Sequence, residues 1–279
     1  MNAISCAAAT LAVGLLTTAS PSLAQTLTRY VKYEIAGRIG WGLLEEDTIR
    51  ELQGNVFESP TPSGRMVKLS DVKLLPPAEP KKVIAAGLNY RSHIGERPAA
   101  KHVGLFAKMP TSLIGHGADI VYPSDATNVH YEAEVCVVIG RRAKRITEEQ
   151  AKSHVFGVAP CNDVSERAWQ KTDLQWFRAK GSDTFGPIGP AVVRGADYSR
   201  LKLIGRHNGK VVQETTTDLL IFSIDHIISY VSRYVTLEPG DVIFTGTPGT
   251  TQAMRPGDTF EVEIEGIGVL RNKVVAERQ

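Results

Sequence analysis

Two carboxylates spaced two residues apart carry the first chemical signal: Tyr131-Glu132-Ala133-Glu134, running into Val135-Cys136-Val137-Val138-Ile139-Gly140. Residues two apart on a strand share a face, so Glu132 and Glu134 project side by side. The apolar run behind them marks a strand that is otherwise buried. Paired carboxylates on such a strand repel each other and are costly to desolvate, so they call for a compensating cation. Carboxylate oxygens suit hard divalent ions, which points to Mg²⁺, Mn²⁺ or Ca²⁺. On this fragment alone, a strand end where the pair simply meets water competes with that reading. Further on, a basic turn at residues 141–145, a short helix and an apolar strand at residues 155–159 can return Asp163 beside the pair as a third oxygen ligand.

Other residues have the types and spacing for proton transfer and anion binding. His93 and Glu96 are three apart and would share a face of a helical turn. A carboxylate there orients and polarises an imidazole, which is the arrangement of a general base. A surface or capping pair is the commoner source of any H-x-x-E. Residues 96–101 read as a lid. Arg167 and Gln170 follow Asp163 at spacings that stack all three on one helix face, with the guanidinium suited to a substrate carboxylate. Lys180, in the Gly- and Pro-rich loop 178–190, would neutralise an anionic intermediate. Residues 244–249 end a strand in a loop whose amides, Gly246 among them, would bind an anion, with Thr247 adding a hydroxyl.

The elements that position these groups are mostly strands. Residues 30–35 alternate at period two, residues 43–52 read as a short helix, and residues 60–64 as a loop. The Pro-rich stretch 76–81 reads as a stiff linker between a small β-rich module (25–75) and a larger domain (82–279). The larger domain opens with a strand at residues 82–87. Thr147 is placed to cap a helix, residues 222–234 form an amphipathic helix, and Asn208-Gly209 signals a hairpin.

Composition narrows the function classes. The 279 residues carry a net charge of +2, with 22% charged and 42% hydrophobic residues. That balance belongs to a globular chain and argues against disorder or a polyanion-binding surface. Basic and aromatic residues do not interleave, so no nucleic-acid pattern is present. Three cysteines (Cys6, Cys136, Cys161) lack zinc-ligand spacing, and a disulfide framework is not expected; Cys136 and Cys161 read as small buried hydrophobes. Residues 1–28 lack Asp, Glu, Lys and Arg, and Ser22-Leu23-Ala24 offers a small-x-small cleavage site. Residues 1–24 therefore read as a secretory signal peptide, although no Lys or Arg precedes the apolar run. Export places the protein in a periplasm or outside the cell; without cleavage it is cytoplasmic. No other stretch is apolar enough to span a membrane.

Taken in order, G-L-N-Y-R-S-H-x-x-E, Y-E-A-E, N-D-V-S-x-R-x-x-Q, K-G-x-D-T-F-x-P-x-G-P, T-G-T-P and the closing Val262-Glu263-Ile264-Glu265-Gly266-Ile267-Gly268 resemble the fumarylacetoacetate hydrolase family. The resemblance covers about residues 75–279 in order and spacing. It implies an α+β fold, predominantly β, a mixed β-sandwich roll behind the small N-terminal module, as a homodimer. It implies a divalent ion on Glu132, Glu134 and Asp163, a catalytic His93–Glu96 dyad with Lys180, and substrate contacts from Arg167, Gln170, Gly246 and Thr247. The activity implied is hydrolysis of a carbon–carbon bond in a 2-oxo acid or 1,3-dicarbonyl compound, of acylpyruvate or fumarylpyruvate type, through a metal-stabilised enolate. The same site would serve oxaloacetate decarboxylation, unsaturated-dioate isomerisation or sugar-acid dehydration. A reading from another class is an exported protein that binds a 2-oxo acid without turning it over.

Overall fold

The structure is a computed structural model and describes residues 26–278; the expected signal peptide lies outside the described residues. Strands dominate, in two main sheets, as an α+β fold that is predominantly β requires. The larger sheet runs from the N-terminal strands to the acidic one. Thr28–Ile35, Arg38–Glu45, Thr48–Gln53 and Thr61–Lys68 form an antiparallel meander. Thr28–Ile35 then pairs with Val192–Arg194, which leads through Val155–Asn162 to Ala133–Ile139, and on through Val242–Phe244 to Val83–Gly87 and Gly104–Lys108. The small N-terminal module thus continues the sheet that carries the acidic residues. The second sheet has five strands, with Lys202–His207, Thr259–Ile264 and Gly268–Ala276 at its centre. The two sheets and the helix Ile224–Tyr234 enclose the main core around Val135, Val137, Leu203, Ile227 and Val262.

Several expectations meet the structure directly. The helix starting after Thr147 carries a reciprocal capping box with Gln150. Ser223 caps Ile224–Tyr234 through the His226 amide. Asn208-Gly209 forms the tight hairpin, both residues at positive φ (50° and 80°).

Three local readings are corrected. Residues 43–52 are not helical: Leu43 pairs with Arg50 and Leu44 with Ile49 across a hairpin turned at Glu46 (φ 53°). The apolar residues there satisfy both periods, and sheet pairing decides. The Pro60–Gly64 stretch is not simply loop, because strand Thr61–Lys68 begins inside it; Pro62 is tolerated on a sheet edge, where its missing donor leaves no gap in the ladder. Cys136 and Cys161 are fully buried as expected, but a disulfide joins them. Their 25-residue separation gives no hint of the strand register that brings them together. Among the described residues no helix is long and apolar enough to cross a membrane.

Candidate active site and metal centre

Strand pairing builds the acidic cluster. Ala133 lies opposite Asn162 in the antiparallel pair, which places Glu132 and Asp163 at the same end of two neighbouring strands. The Asp163 amide donates to the Glu132 carbonyl (2.9 Å), and the Glu132 amide donates to Asn162 Oδ1 (2.8 Å). Glu134 lies two residues into its strand and on the same face as Glu132. One oxygen from each of Glu132, Glu134 and Asp163 falls within 4.8 Å of the others, and all three residues are buried.

Cations surround two of the three carboxylates. Lys180 Nζ donates to Glu132 Oε2 (2.7 Å) and Asp163 Oδ2 (2.6 Å). Lys108, at the end of Gly104–Lys108, donates to Asp163 Oδ1 (2.6 Å) and to the Lys180 carbonyl. Arg167 Nη2 reaches Glu132 Oε1 at 2.5 Å. Glu134 has no cationic partner among the described residues; it accepts only the Gly246 amide, at 2.7 Å.

Ionisation follows from this arrangement. Burial would raise the Glu132 carboxyl, but Lys180 and Arg167 outweigh it and hold the group well below the usual carboxylate range. Burial, then the charges of Asp163 and Glu132, push Glu134 well above that range. For Lys180, burial is outweighed by Asp163 and Glu132, so its ammonium is held; burial wins at Lys108 and pulls it down. The donor set fits a divalent ion. It consists of hard carboxylate oxygens with lone pairs left over after the lysine and arginine bonds, and one carboxylate lacks compensation.

Two connected spaces adjoin the cluster. The inner one holds about 30 Å³, room for one or two waters, between the three carboxylates and His93, Phe106 and Trp176. The outer chamber holds about 460 Å³, and every ionisable residue lining it is basic: His93, Arg97, His130, Arg167 and Lys171. Leu88 and Trp176 line both spaces and both adopt left-handed backbone (φ 58° each). Side chains pay for that conformation in strain, which concentrates at functional sites.

The remaining predicted residues divide. His93 lines both spaces, and its Nδ1 lies 2.6 Å from the Gly249 carbonyl. A carbonyl can only accept, so Nδ1 carries a proton, and in the neutral imidazole the lone pair is left on Nε2. Glu96 is not brought to His93: the helix Arg91–Ile94 stops two residues short of it, Gly95 turns at φ 60°, and Glu96 is exposed. Arg167 and Gln170 share the first turn of Arg167–Thr172 and are joined at 2.7 Å. Asp163 is not on that helix, whose cap is Glu166, but reaches the site from the strand end. Lys180 belongs to the short helix Phe177–Gly181 rather than to a loop. The Gly246 amide is taken up by the protein's own Glu134 carboxyl, to which it donates. The Thr247 hydroxyl lines the inner space, donates to the Ala133 carbonyl (2.9 Å) and accepts from Gln213 Nε2 (2.8 Å).

Sequence reasoning missed Lys108, His130 and Thr251. Thr251 Oγ1 accepts from Arg167 Nη2 (2.9 Å) and sits 2.9 Å from His130 Nδ1. Asn128 Oδ1 accepts from His130 Nε2 at 3.0 Å, so the hydroxyl proton of Thr251 points at Nδ1 and a chain of bonds fixes Arg167. Burial and then Arg167 bring the His130 imidazole down to about 4, so it is neutral here. A lone lysine closing an apolar strand, as Lys108 does, was the one signal available.

Comparison with known proteins agrees along the chain. Residues 82–275 match the family model described as fumarylacetoacetate (FAA) hydrolase C-terminal, and residues 28–77 match the one described as Rv2993c-like, N-terminal. The chain is 43% identical over 236 residues to protein Rv2993c of Mycobacterium tuberculosis, covering 82% of this chain and 89% of that one. It is 40% identical over 216 residues to the human mitochondrial oxaloacetate tautomerase FAHD2A, covering 72% and 69%. Among solved structures, the 2-hydroxyhepta-2,4-diene-1,7-dioate isomerase of Mycobacterium marinum superposes with a TM-score of 0.84 at 37% identity, covering 90% of this chain and all of the other.

Proposed function

The chain belongs to the fumarylacetoacetate hydrolase family of enzymes, and from that premise we propose that it catalyses cation-dependent proton transfer on a 2-oxo dicarboxylic acid, through the enolate. The observation that carries the reading is a buried three-carboxylate cluster opening into a chamber whose ionisable lining is wholly basic. Such a chamber selects a substrate with two negative charges. Relatives named for oxaloacetate tautomerisation and for isomerisation of an unsaturated dioate support the same class.

Glu132, Glu134 and Asp163 would hold Mg²⁺ or Mn²⁺, which supplies Lewis-acid stabilisation of developing negative charge. His93, its Nδ1–H fixed on the Gly249 carbonyl, takes a proton at Nε2 from the carbon beside the oxo group and returns it elsewhere on the substrate. Arg167, held by Gln170 and Thr251, grips a carboxylate. The ammonium of Lys180 faces the enolate charge. This chemistry needs no activated water, and the His93 ring is oriented by the Gly249 carbonyl rather than by Glu96, which is exposed.

Hydrolysis of an acylpyruvate or fumarylpyruvate is the second reading, with His93 taking its proton from water. The volume of the outer chamber favours it, being larger than a four-carbon acid requires. A turnover screen with Mn²⁺, before and after chelation, separates the two. Enol–keto exchange of oxaloacetate or isomerisation of an unsaturated dioate, lost with chelator and restored by metal, is the expected result. Cleavage of acylpyruvate alone would replace the first reading by the second, and silence across the panel would overturn both.

A further inference from the structure

The cations around the acidic cluster divide into those already paired and those that are not. Lys180 is shared between Glu132 and Asp163, and Lys108 is held by Asp163. Arg167 is committed to Glu132, Gln170 and Thr251. Arg97 and Lys171 differ from all three. Both line the outer chamber but not the inner space, and neither forms an ion pair among the described residues.

Arg97 is aimed by the backbone around it. Its amide and its Nε both donate to the Ile94 carbonyl (3.3 and 3.1 Å), and its own carbonyl accepts from Arg91 Nη1 (3.1 Å). These bonds tie it to the helix that carries His93. Both terminal nitrogens of the guanidinium are left without a partner among the described residues. Lys171 follows Gln170 and lines the chamber from the helix that carries Arg167. One planar fork and one point charge therefore border the space beyond the inner one.

We infer that Arg97 and Lys171 form a distal anion subsite, which makes the site selective for 2-oxo acids with a second carboxylate at the far end of the chain. The inference rests on the reading of the site under the proposed function and assigns its outer half. The oxo end must reach the three carboxylates through the inner space, where Arg167 and Lys180 are already paired with carboxylates of the protein. The far end then lies in the outer chamber. A carboxylate there loses water and finds its matching charge in Arg97 and Lys171. Leu88 and Trp176, which line both spaces, give the carbons between the two charges an apolar wall. Both cations are exposed, so each pair is screened and worth about threefold in affinity, and the two together about tenfold.

The full chain is loaded with Mn²⁺, and 2-oxoadipate and 2-oxohexanoate are each titrated against it by calorimetry. The two acids share their carbon count and their oxo end and differ only in the far carboxylate. 2-Oxoadipate is expected to bind about tenfold more tightly, and added salt to narrow that margin. In the double variant Arg97→Gln/Lys171→Gln the margin should fall to within about twofold. Should the double variant not fold, Arg97→Gln alone must cut the margin about threefold. Equal binding of the two acids by the wild-type chain, or a margin that survives the substitutions, would overturn the inference. Turnover of a 2-oxo dicarboxylic acid alongside either result would leave the proposed reaction standing. The expected margin without turnover would do the opposite, keeping the subsite and removing the reaction. Binding of neither acid would overturn both.

Discussion

The two ends of strand Ala133–Ile139 each hold buried carboxylate, and they treat it in opposite ways. At the far end Asp241 is completely enclosed. Its Oδ1 accepts the amides of Lys81 (3.0 Å) and Lys82 (2.9 Å), and its Oδ2 accepts the Glu238 amide (2.8 Å) and Lys82 Nζ (2.7 Å). Four donors saturate the group, and it ties the Lys81–Lys82 segment to the turn Glu238–Asp241. At the near end Glu134 is just as buried but accepts one amide, beside two other carboxylates. A buried charge that is fully bonded serves the fold. One left under-compensated costs stability and persists where a ligand supplies what is missing.

Exchanging charge for neutrality at each end should separate these roles. Glu134→Gln keeps an acceptor for Gly246 and removes the charge that Glu134 takes on only when its proton leaves. Turnover should fall more than about 100-fold, beyond the 10–100-fold typical of groups that merely orient metal ligands. Calorimetry should find Mn²⁺ binding lost, while at pH above the raised Glu134 value the metal-free protein becomes more stable by about 1–2 kcal/mol. Asp241→Ala should do the reverse. Stranding the lysine and three amides should cost about 3–5 kcal/mol, seen as a fall of about 10 °C in Tm, with Mn²⁺ affinity of the folded protein unchanged. A Glu134 variant that unfolds, or an Asp241 variant that loses metal, would erase the distinction.

Lys108 tests how far the near end depends on its lysines. It is fully buried and shared between Asp163 and the Lys180 carbonyl, so it orients one ligand and one charge-bearing side chain together. Lys108→Met fills the same space without the charge. Turnover should fall about 10–100-fold through misplacement of Asp163 and Lys180, with weaker Mn²⁺ binding measured in parallel. Retention of both would make Lys108 a packing residue.

How much of this was legible in the sequence follows from the range of the forces involved. Glu132 and Glu134 were readable because a two-residue spacing is a property of a single strand, and the apolar run announced that the strand is buried. The order of the motifs was readable for the same reason, each motif being local, and the fold class followed from the family that the ordered motifs resemble. What depends on register was not. Cys136 meets Cys161, Lys108 meets Asp163, and Glu134 meets Gly246 only because particular strands pair in a particular offset. The misread residues 43–52 failed at the same point, since Leu43, Leu44, Ile49 and Leu52 fit either period until a partner strand chooses. His93 shows the limit from the other side. A three-residue spacing to Glu96 was visible, but the helix ends at Ile94, and the histidine takes its orientation from Gly249, a residue far away in the chain.

The smallest expected effect is one of pH, and it belongs to the near end of the strand. In the metal-free protein burial, then Asp163 and Glu132, hold the Glu134 carboxyl protonated well above the usual range. The raised value therefore favours the metal-free fold below the unfolded-state value of about 4.3, and that contribution is lost as pH rises through the folded one. Glu132, held low by Lys180 and Arg167 against its burial, acts with opposite sign: its contribution is present above the unfolded-state value and is lost as pH falls through the folded one. A cation must displace the Glu134 proton, so Mn²⁺ affinity should weaken as pH falls below the raised value, by up to about tenfold per unit, and level off above it. Calorimetry in two buffers of different ionisation enthalpy should count up to about one proton released per ion on the sloping limb. A pH-independent Mn²⁺ affinity in the wild-type chain would mean that Glu134 is ionised before the ion arrives, and the contrast between the two ends would then lie in geometry rather than in charge.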